Sequence, residues 1–295
     1  MTRTRIPARG LLAATAIPLL LLGACARPAA TGPEAGAPAA EPVTESGAAP
    51  AADALVLRVR HRGGFVPPQL LVGRLPQVSV YADGRVITDG PVPLVAPGPA
   101  LPNLQVQKIT PEQVKQLTAQ AVQAGVTTGA DFGTPNVADV PSTEVTVVTG
   151  YGTETVDVVA LNEAQPDDTS LTPAHQAART ELRGFIDKLT GLSGDSEPYR
   201  PEQVAAIARP WTDNGDGLAG KPIDWPGPAL PGEQLDKNVD VRCVVASGAG
   251  KDDVWAAAEK ANQQTPWVSG GKQWSVTFRP LLPDESGCES LRRAE

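Results

Sequence analysis

The sequence predicts an α+β fold: antiparallel sheets with helices packed on one face, built as two small domains behind a disordered N-terminal tether. Three observations predict it. Short apolar runs recur in pairs across turn signals, at 78–82 and 85–88 around Asp83-Gly84, and at 144–149 and 154–160 around Gly150–Thr153. Two helix starts use the same aliphatic-Thr-Pro phrase, Ile109-Thr110-Pro111 and Leu171-Thr172-Pro173. No long series of alternating strand and helix runs along the chain, which argues against a parallel, doubly wound sheet.

The elements follow in order. Leu55, Leu57 and Val59 alternate with Val56, Arg58 and Arg60, a strand with one partly polar face. His61–Pro68 reads as a loop by its glycines and prolines. Asp83-Gly84 between two strand-like runs predicts a two-residue type I′ hairpin. A Pro-rich loop over 91–102 leads to a short strand at 104–109. Thr110 caps a helix, Pro111 suits its first position, Gln113 completes a capping box, and Ile109 with Val114 forms a hydrophobic staple. Val114, Leu117, Ala121 and Val122 share its apolar face, and Gly125 ends it. In the next hairpin Val145 and Val147 face one way, as do Val156 and Val158. The second helix buries Ala174, Ala178, Leu182, Phe185 and Leu189 and stops at Gly191. Either a duplicated ββα unit or two uses of a common cap accounts for the repeated order, and the second is preferred.

The N-terminal domain thus spans 55–192, and a polar stretch at 193–200 separates it from a C-terminal domain, 199–291. Residues 201–209 accommodate a short helix or a strand ending at Pro210, with the strand preferred. Residues 211–238 are irregular; a strand at 239–246, a helix at 252–263 with Val254, Ala258 and Ala261 inward, and a strand at 273–279 follow.

Residues 1–24 read as a signal. Arg3, Arg5 and Arg9 precede an uncharged apolar run of 13 residues, Gly10 to Leu22. A membrane-spanning helix needs roughly 20, so the run suits the apolar core of a secretory signal. It ends Leu22-Gly23-Ala24-Cys25, which resembles the lipobox of bacterial lipoproteins. The resemblance implies cleavage before Cys25 by signal peptidase II and a diacylglycerol on its thiol, carrying palmitate-type acyl chains. It places the protein on the extracytoplasmic face of the cell membrane, attached through lipid on Cys25. Arginine outnumbers lysine 17 to 8, and Ala, Pro, Gly and Val abound. With the lipobox, this composition resembles the many uncharacterised lipoproteins of actinobacteria, a resemblance that implies an address and no activity. Residues 25–54 hold almost no large apolar side chain and read as a disordered Ala/Pro-rich tether reaching at most about 100 Å.

Removing residues 1–24 takes three arginines and no acid, which moves the formal charge from −8 to −11. So acidic a chain argues against nucleic acid as a partner. With Cys25 given to lipid, Cys243 and Cys288 remain as an even pair in an oxidising compartment, and a disulfide is expected, worth roughly 4 kcal/mol. A metal pair lacks nearby ligands, the only histidines being His61 and His175.

Other constellations fall short of a site. Gly248-Ala249-Gly250-Lys251 lacks the Walker spacing and reads as a strand-to-helix turn. Ser269-Gly270-Gly271-Lys272 matches Ser-x-x-Lys, but as a Gly-Gly turn running into a strand. Asp213-Asn214-Gly215-Asp216-Gly217 puts glycines where a calcium loop needs oxygens. Asp131, Asp139 and Glu144 lie near the second hairpin without metal-ligand spacing, and His175 sits exposed in a first helical turn. The five tryptophans, Trp211, Trp225, Trp255, Trp267 and Trp274, all lie in the C-terminal domain, where core is the simpler role than sugar stacking. The basic cluster Arg58, Arg60, His61, Arg62 stands out on an acidic chain; it reads as a solvated strand end, with an anionic envelope polymer as the alternative.

The expectation is therefore a non-enzymatic, lipid-anchored envelope module that binds an envelope protein or a cell-wall polymer, with no catalytic residue, metal or cofactor. The alternatives are a cell-envelope hydrolase with a dispersed carboxylate and serine site and, third, a solute-binding lipoprotein.

Overall fold

A computed structural model describes residues 51–235 and 240–292. Cys25, the signal and most of the expected tether lie outside the described residues. The order is β1 (Leu55–Gly63), α1 (Pro68–Gly73), β2 (Val78–Tyr81), β3 (Arg85–Asp89), β4 (Leu104–Lys108), α2 (Pro111–Gln123), β5 (Pro141–Thr149), β6 (Gly152–Val159), α3 (Pro173–Thr190) and β7 (Ser196–Pro198). Then come β8 (Gln203–Pro210), β9 (Ile223–Asp224), β10 (Glu233–Gln234), β11 (Arg242–Ser247), α4 (Gly248–Ala258), β12 (Trp267–Ser269), β13 (Lys272–Pro280) and a 3-10 turn at Cys288–Leu291. The fold is α+β. One sheet has the order β6-β5-β1-β2-β3-β4-β7 and the other β10-β11-β8-β13-β12-β9. Every pairing is antiparallel except β9 with β12.

The first sheet follows from the alternation on β1. Leu57 and Val59 point inward and are fully buried, with Val145, Val147, Val156 and Val158 of the hairpin beside them. Helices α2 and α3 cover that face. In α2 the capping box forms as the residues dictate: Gln113 N–H donates to Thr110 Oγ1, 3.2 Å, and Thr110 N–H to Gln113 Oε1, 2.8 Å. Val114, Leu117 and Ala121 are buried, but Val122 is exposed. At 3.6 residues per turn Val122 lies roughly 80° round from Val114, past the edge of the buried arc. Gly125, at φ 90°, stops the helix.

Helix α3 differs more from expectation. Leu182, Phe185, Ile186 and Leu189 are buried, Ala178 is only partly buried, and Ala174 in the first turn is exposed. The buried face is completed by Arg179, wholly inaccessible. Its guanidinium donates to the carbonyls of Phe132 (3.2 Å), Val159 (2.7 Å) and Ala160. Ala160 has φ 49°, left-handed backbone that a β-carbon disfavours. Arg179 thus clamps the turn leaving β6 by donating to carbonyls on both sides of it.

The two hairpins use different turns. Between β2 and β3 only Gly84 has positive φ, 85°, and its N–H donates to the Tyr81 carbonyl, 2.9 Å. This is a three-residue loop ending in a left-handed glycine, where a type I′ turn was expected. Asp83 is spent on its own turn, its carboxylate accepting from Arg85 N–H at 3.0 Å and Arg85 Nε at 2.7 Å. Between β5 and β6 the loop is two residues, Gly150 and Tyr151, and Thr149 already pairs with Gly152.

In the second sheet β8 settles the ambiguous run. Val204 to Ala208 are all buried. Val204, Ala206 and Ala208 face α4 and the aromatic cluster; Ala205 and Ile207 face the other way, toward Val72 of α1 and Leu291. A strand buried on both faces shows no period of two, which is why its sequence fits helix or strand equally. Helix α4 starts at Gly248, four residues early, because β11 runs straight into it, and it ends at Ala258, where Asn262 and Thr265 fold back into a turn. β12 is an extra strand, joined to β13 by Gly270 and Gly271 at φ 60° and 73°.

Segments cross between the sheets. Helix α1, inside the stretch read as loop and connector, packs on β8 and β13. In return Leu282 lies with Tyr81, Ile87, Leu104 and Tyr199 on the outer face of the first sheet. The polar 196–198 stretch adds β7 to the open edge of β4. Residues 51–54, read as tether, are folded too: Ala82 N–H donates to the Ala54 carbonyl, 2.9 Å, and Asp53 pairs with Arg85. The described residues form one compact unit. Among the described residues no helix is long and apolar enough to cross a membrane.

Arg179→Ala removes a donor from three carbonyls, of which that of Ala160 keeps the Ala164 N–H at 3.1 Å, and is expected to cost about 3 kcal/mol. Urea unfolding measures it; an unchanged midpoint with an unchanged slope would mean that the clamp carries no stability.

Candidate functional site

The outer face of β1 is set by the same alternation that builds the core. With Leu57 and Val59 inward, Arg58, Arg60 and Arg62 must point outward, three guanidinium groups in a row on an interior strand. Together with Arg74 after α1, Arg279 on β13 and Arg292 after the 3-10 turn, they line a recess of about 340 Å³. Among the described residues Glu285 is its one lining carboxylate. The sequence reading found the β1 cluster. It missed the other three arginines, which come from segments 74, 279 and 292 and meet it only through the fold.

The inner end of the row is neutralised. Arg58, 12% exposed, donates through Nη2 to Asp284 at 2.7 Å, and through Nε to Ser79 Oγ at 3.0 Å. Tyr81 hydroxyl donates to the same Asp284 oxygen, 2.8 Å. Burial alone would raise the pKa of Asp284; the hydrogen bonds and charge of Arg58, with the Tyr81 hydroxyl, more than offset it and hold the carboxyl below its usual range. Burial, and then the nearby Asp284, push the Tyr81 phenol up, so it stays a donor. Arg279 is almost fully buried and pairs with Glu285 at 2.7 Å; burial lowers its pKa. Glu285 also accepts from Leu282 N–H, 2.8 Å, and so closes the loop that carries Asp284.

The outer end is not neutralised. Arg60 Nε and Arg62 Nη1 share Glu144, directly opposite Arg60 on β5, at 2.6 and 2.8 Å. Asp157 reaches Arg62 only at 4.0 Å. Burial would raise the pKa of Glu144, and the two arginines lower it below the usual carboxylate value. Arg74 has no carboxylate partner among the described residues and donates to the Gly63 carbonyl, 3.0 Å. His61 sits among them with Nε2 2.7 Å from Gln77 Nε2; burial, then the charge of Arg74, lower its pKa and keep it neutral at pH 7.

The 3-10 turn supplies one wall, through Ser290, Leu291 and Arg292. Cys243 on β11 and Cys288 are disulfide-bonded, with Cα atoms 5.9 Å apart, and both are buried. The bond ties that wall to the second sheet.

The remaining constellations are used structurally. Gly248–Lys251 forms the first turn of α4, with Lys251 on Asp252 at 2.7 Å. Ser269 Oγ accepts from Leu230 N–H, 3.1 Å. Asp213 and Asp216 close their own loop by accepting from Gly215 and Leu218 N–H, each 2.9 Å. Asp131 accepts from His175 Nε2 at 3.2 Å, Asp139 sits at φ 61°, and Glu144 belongs to the arginines, so these three do not converge. His175 completes the capping box of α3, with Thr172 N–H donating to its Nδ1. Among the described residues no group of three or more His, Cys, Asp and Glu could hold a metal. Trp267 packs edge to face on Trp225 at 5.5 Å and on Phe278 at 5.4 Å, Trp225 and Phe278 are tilted at 6.1 Å, Trp274 is also buried, and Trp255 lies under Arg200. Compared with family models, with curated proteins and with solved structures, the chain matches none.

Asp284→Ala strands a nearly buried guanidinium and is expected to cost about 2 kcal/mol. Because the folded carboxyl titrates below its unfolded value of about 3.9, this stability is fully present above that value and is lost as pH falls through the folded pKa. Urea midpoints from pH 7 into the acid range measure both effects, and the gap between wild type and variant is expected to narrow as pH falls below about 3.9. Reduction of the disulfide, or Cys288→Ser, is expected to lower stability by roughly 4 kcal/mol and to speed amide exchange across 286–292; unchanged exchange there would separate the bond from the wall.

Proposed function

We propose that this chain is a lipid-anchored protein of the extracytoplasmic face of the cell membrane that works by binding, without catalysis, another component of the envelope. The observation that carries the binding role is the recess, lined by six arginines on a chain of formal charge −8. Arg58, Arg279 and Arg292 pair with Asp284, Glu285 and Glu233, while Arg60, Arg62 and Arg74 have one close carboxylate, Glu144, among them within the described residues. Concentrating like charge in a concave site is unfavourable unless an opposite charge enters it. The anchoring role rests on the basic start, the apolar run and the lipobox-like Leu22–Cys25, and a buried Cys243–Cys288 bond suits an oxidising compartment. A single acyl chain holds only marginally and two hold firmly, so lipid on Cys25 is sufficient as an anchor.

Two measurements test the reading. Cys25→Ala is expected to release the protein from the membrane pellet after a salt wash, and retention in the pellet would remove the lipid anchor. Crosslinking the anchored protein in its own envelope is expected to recover a partner protein or wall polymer. Recovery of neither, together with turnover of a wall substrate by the pure protein, would replace binding by hydrolysis.

A further inference from the structure

We propose that the arginine recess is a binding site for a phosphate group, carried by a ligand about the size of a phosphorylated sugar unit. This rests on the binding role given above and names the chemistry that the site accepts.

The unspent charge locates the site. Arg58 and Arg279 are committed to Asp284 and Glu285 and form the floor. Arg60 and Arg62, both nearly half exposed, share Glu144 between them. Arg60 is held through Nε and Arg62 through Nη1, so each keeps terminal N–H groups that make no hydrogen bond among the described residues. Arg74 uses one nitrogen, on a carbonyl. Three guanidinium groups therefore face the opening with one well-placed carboxylate among them. This is room for an anion carrying close to two charges.

The arrangement favours phosphate over carboxylate. A guanidinium offers a planar fork of donors that matches either group. A carboxylate presents two oxygens in one plane and one charge. A phosphate monoester presents three acceptor oxygens and close to two charges at pH 7. Here the donors come from separate segments, β1 and the turn after α1, that line the same recess. A tetrahedral group can accept from them together. The rest of the ligand has a surface to lie on, because Leu71, Val72, Pro76 and Leu291 line the same recess. Its volume of about 340 Å³ falls at the small end of ligand pockets, enough for one phosphate and one sugar-sized body.

The chemistry has two sources, a free phosphate monoester or the terminal phosphate monoester of an envelope polymer. Calorimetric titration of the disulfide-intact protein separates them, with glycerol 3-phosphate as the small probe, a synthetic glycerol-phosphate oligomer ending in a phosphate monoester as the polymer, and malonate as the carboxylate control. Glycerol 3-phosphate or the oligomer is expected to bind, more weakly as salt rises, and malonate at least about tenfold more weakly. Arg74→Ala and Arg60→Ala are each expected to weaken phosphate binding by about tenfold. Lys115→Ala, on the far exposed face of α2, is expected to leave it unchanged. Arg74 makes a single exposed hydrogen bond, so its variant keeps the wild-type melting temperature and the loss reads as lost binding. Binding of the small ester assigns a free phosphate; binding of the oligomer alone assigns a polymer. Equal affinity for malonate, no binding of either phosphate probe at millimolar concentration, or binding indifferent to Arg74 and Arg60, overturns the phosphate site. If that happens while crosslinking still recovers an envelope partner, the binding role stands and only the phosphate assignment falls.

Discussion

Everything on the functional side of this molecule depends on the two-residue period of β1. The strand is interior to its sheet, so its outer face cannot simply be left at an edge. Burying Leu57 and Val59 forces three guanidinium groups onto that face, and each needs an anionic partner, water or both. The fold answers differently along the row. At Arg58 the chain returns after β13 and supplies Asp284. At Arg60 and Arg62 it supplies one carboxylate for two cations. The gradient from neutralised floor to unneutralised mouth follows from how far the 281–285 loop reaches along the strand.

That loop is half of an exchange. Each sheet lends a segment to the other: α1, inserted between β1 and β2, covers the outer face of β8 and β13, and Leu282 with its neighbours covers the outer face of β2, β3 and β4. Neither face would be dry without the loan. Tyr199 strengthens the seam by donating its hydroxyl to the Leu281 carbonyl, 2.9 Å. The recess lies along this seam, which explains why its lining comes from both halves of the chain.

Local sequence signals carried the first sheet well. The capping box at Thr110, the valines of the second hairpin and the strand at β1 are decided by neighbours in sequence, and there composition and spacing speak directly. The signals failed where a residue answers to a distant partner. Arg179 reads as a polar residue on a helix, yet it fills the core because the Phe132, Val159 and Ala160 carbonyls all accept from its guanidinium. β8 hides its identity because both its faces are covered. The site was half legible: Arg58, Arg60 and Arg62 stand out as a cluster, whereas Arg74, Arg279 and Arg292 are single arginines in unrelated contexts. A useful sign was present in Arg279, a charge in the middle of the apolar phrase from Val276 to Leu282, where only a partnered cation can be buried.

The Cys243–Cys288 bond has a consequence that reaches past stability. It fastens a wall of the recess that neither sheet holds through its own ladder. Apart from the bond, the side made by Ser290, Leu291 and Arg292 rests on the packing of Leu291 and on the pairing of Arg292 with Glu233 at 3.3 Å. The covalent link therefore couples the shape of a recess built on β1 to a bond made on β11.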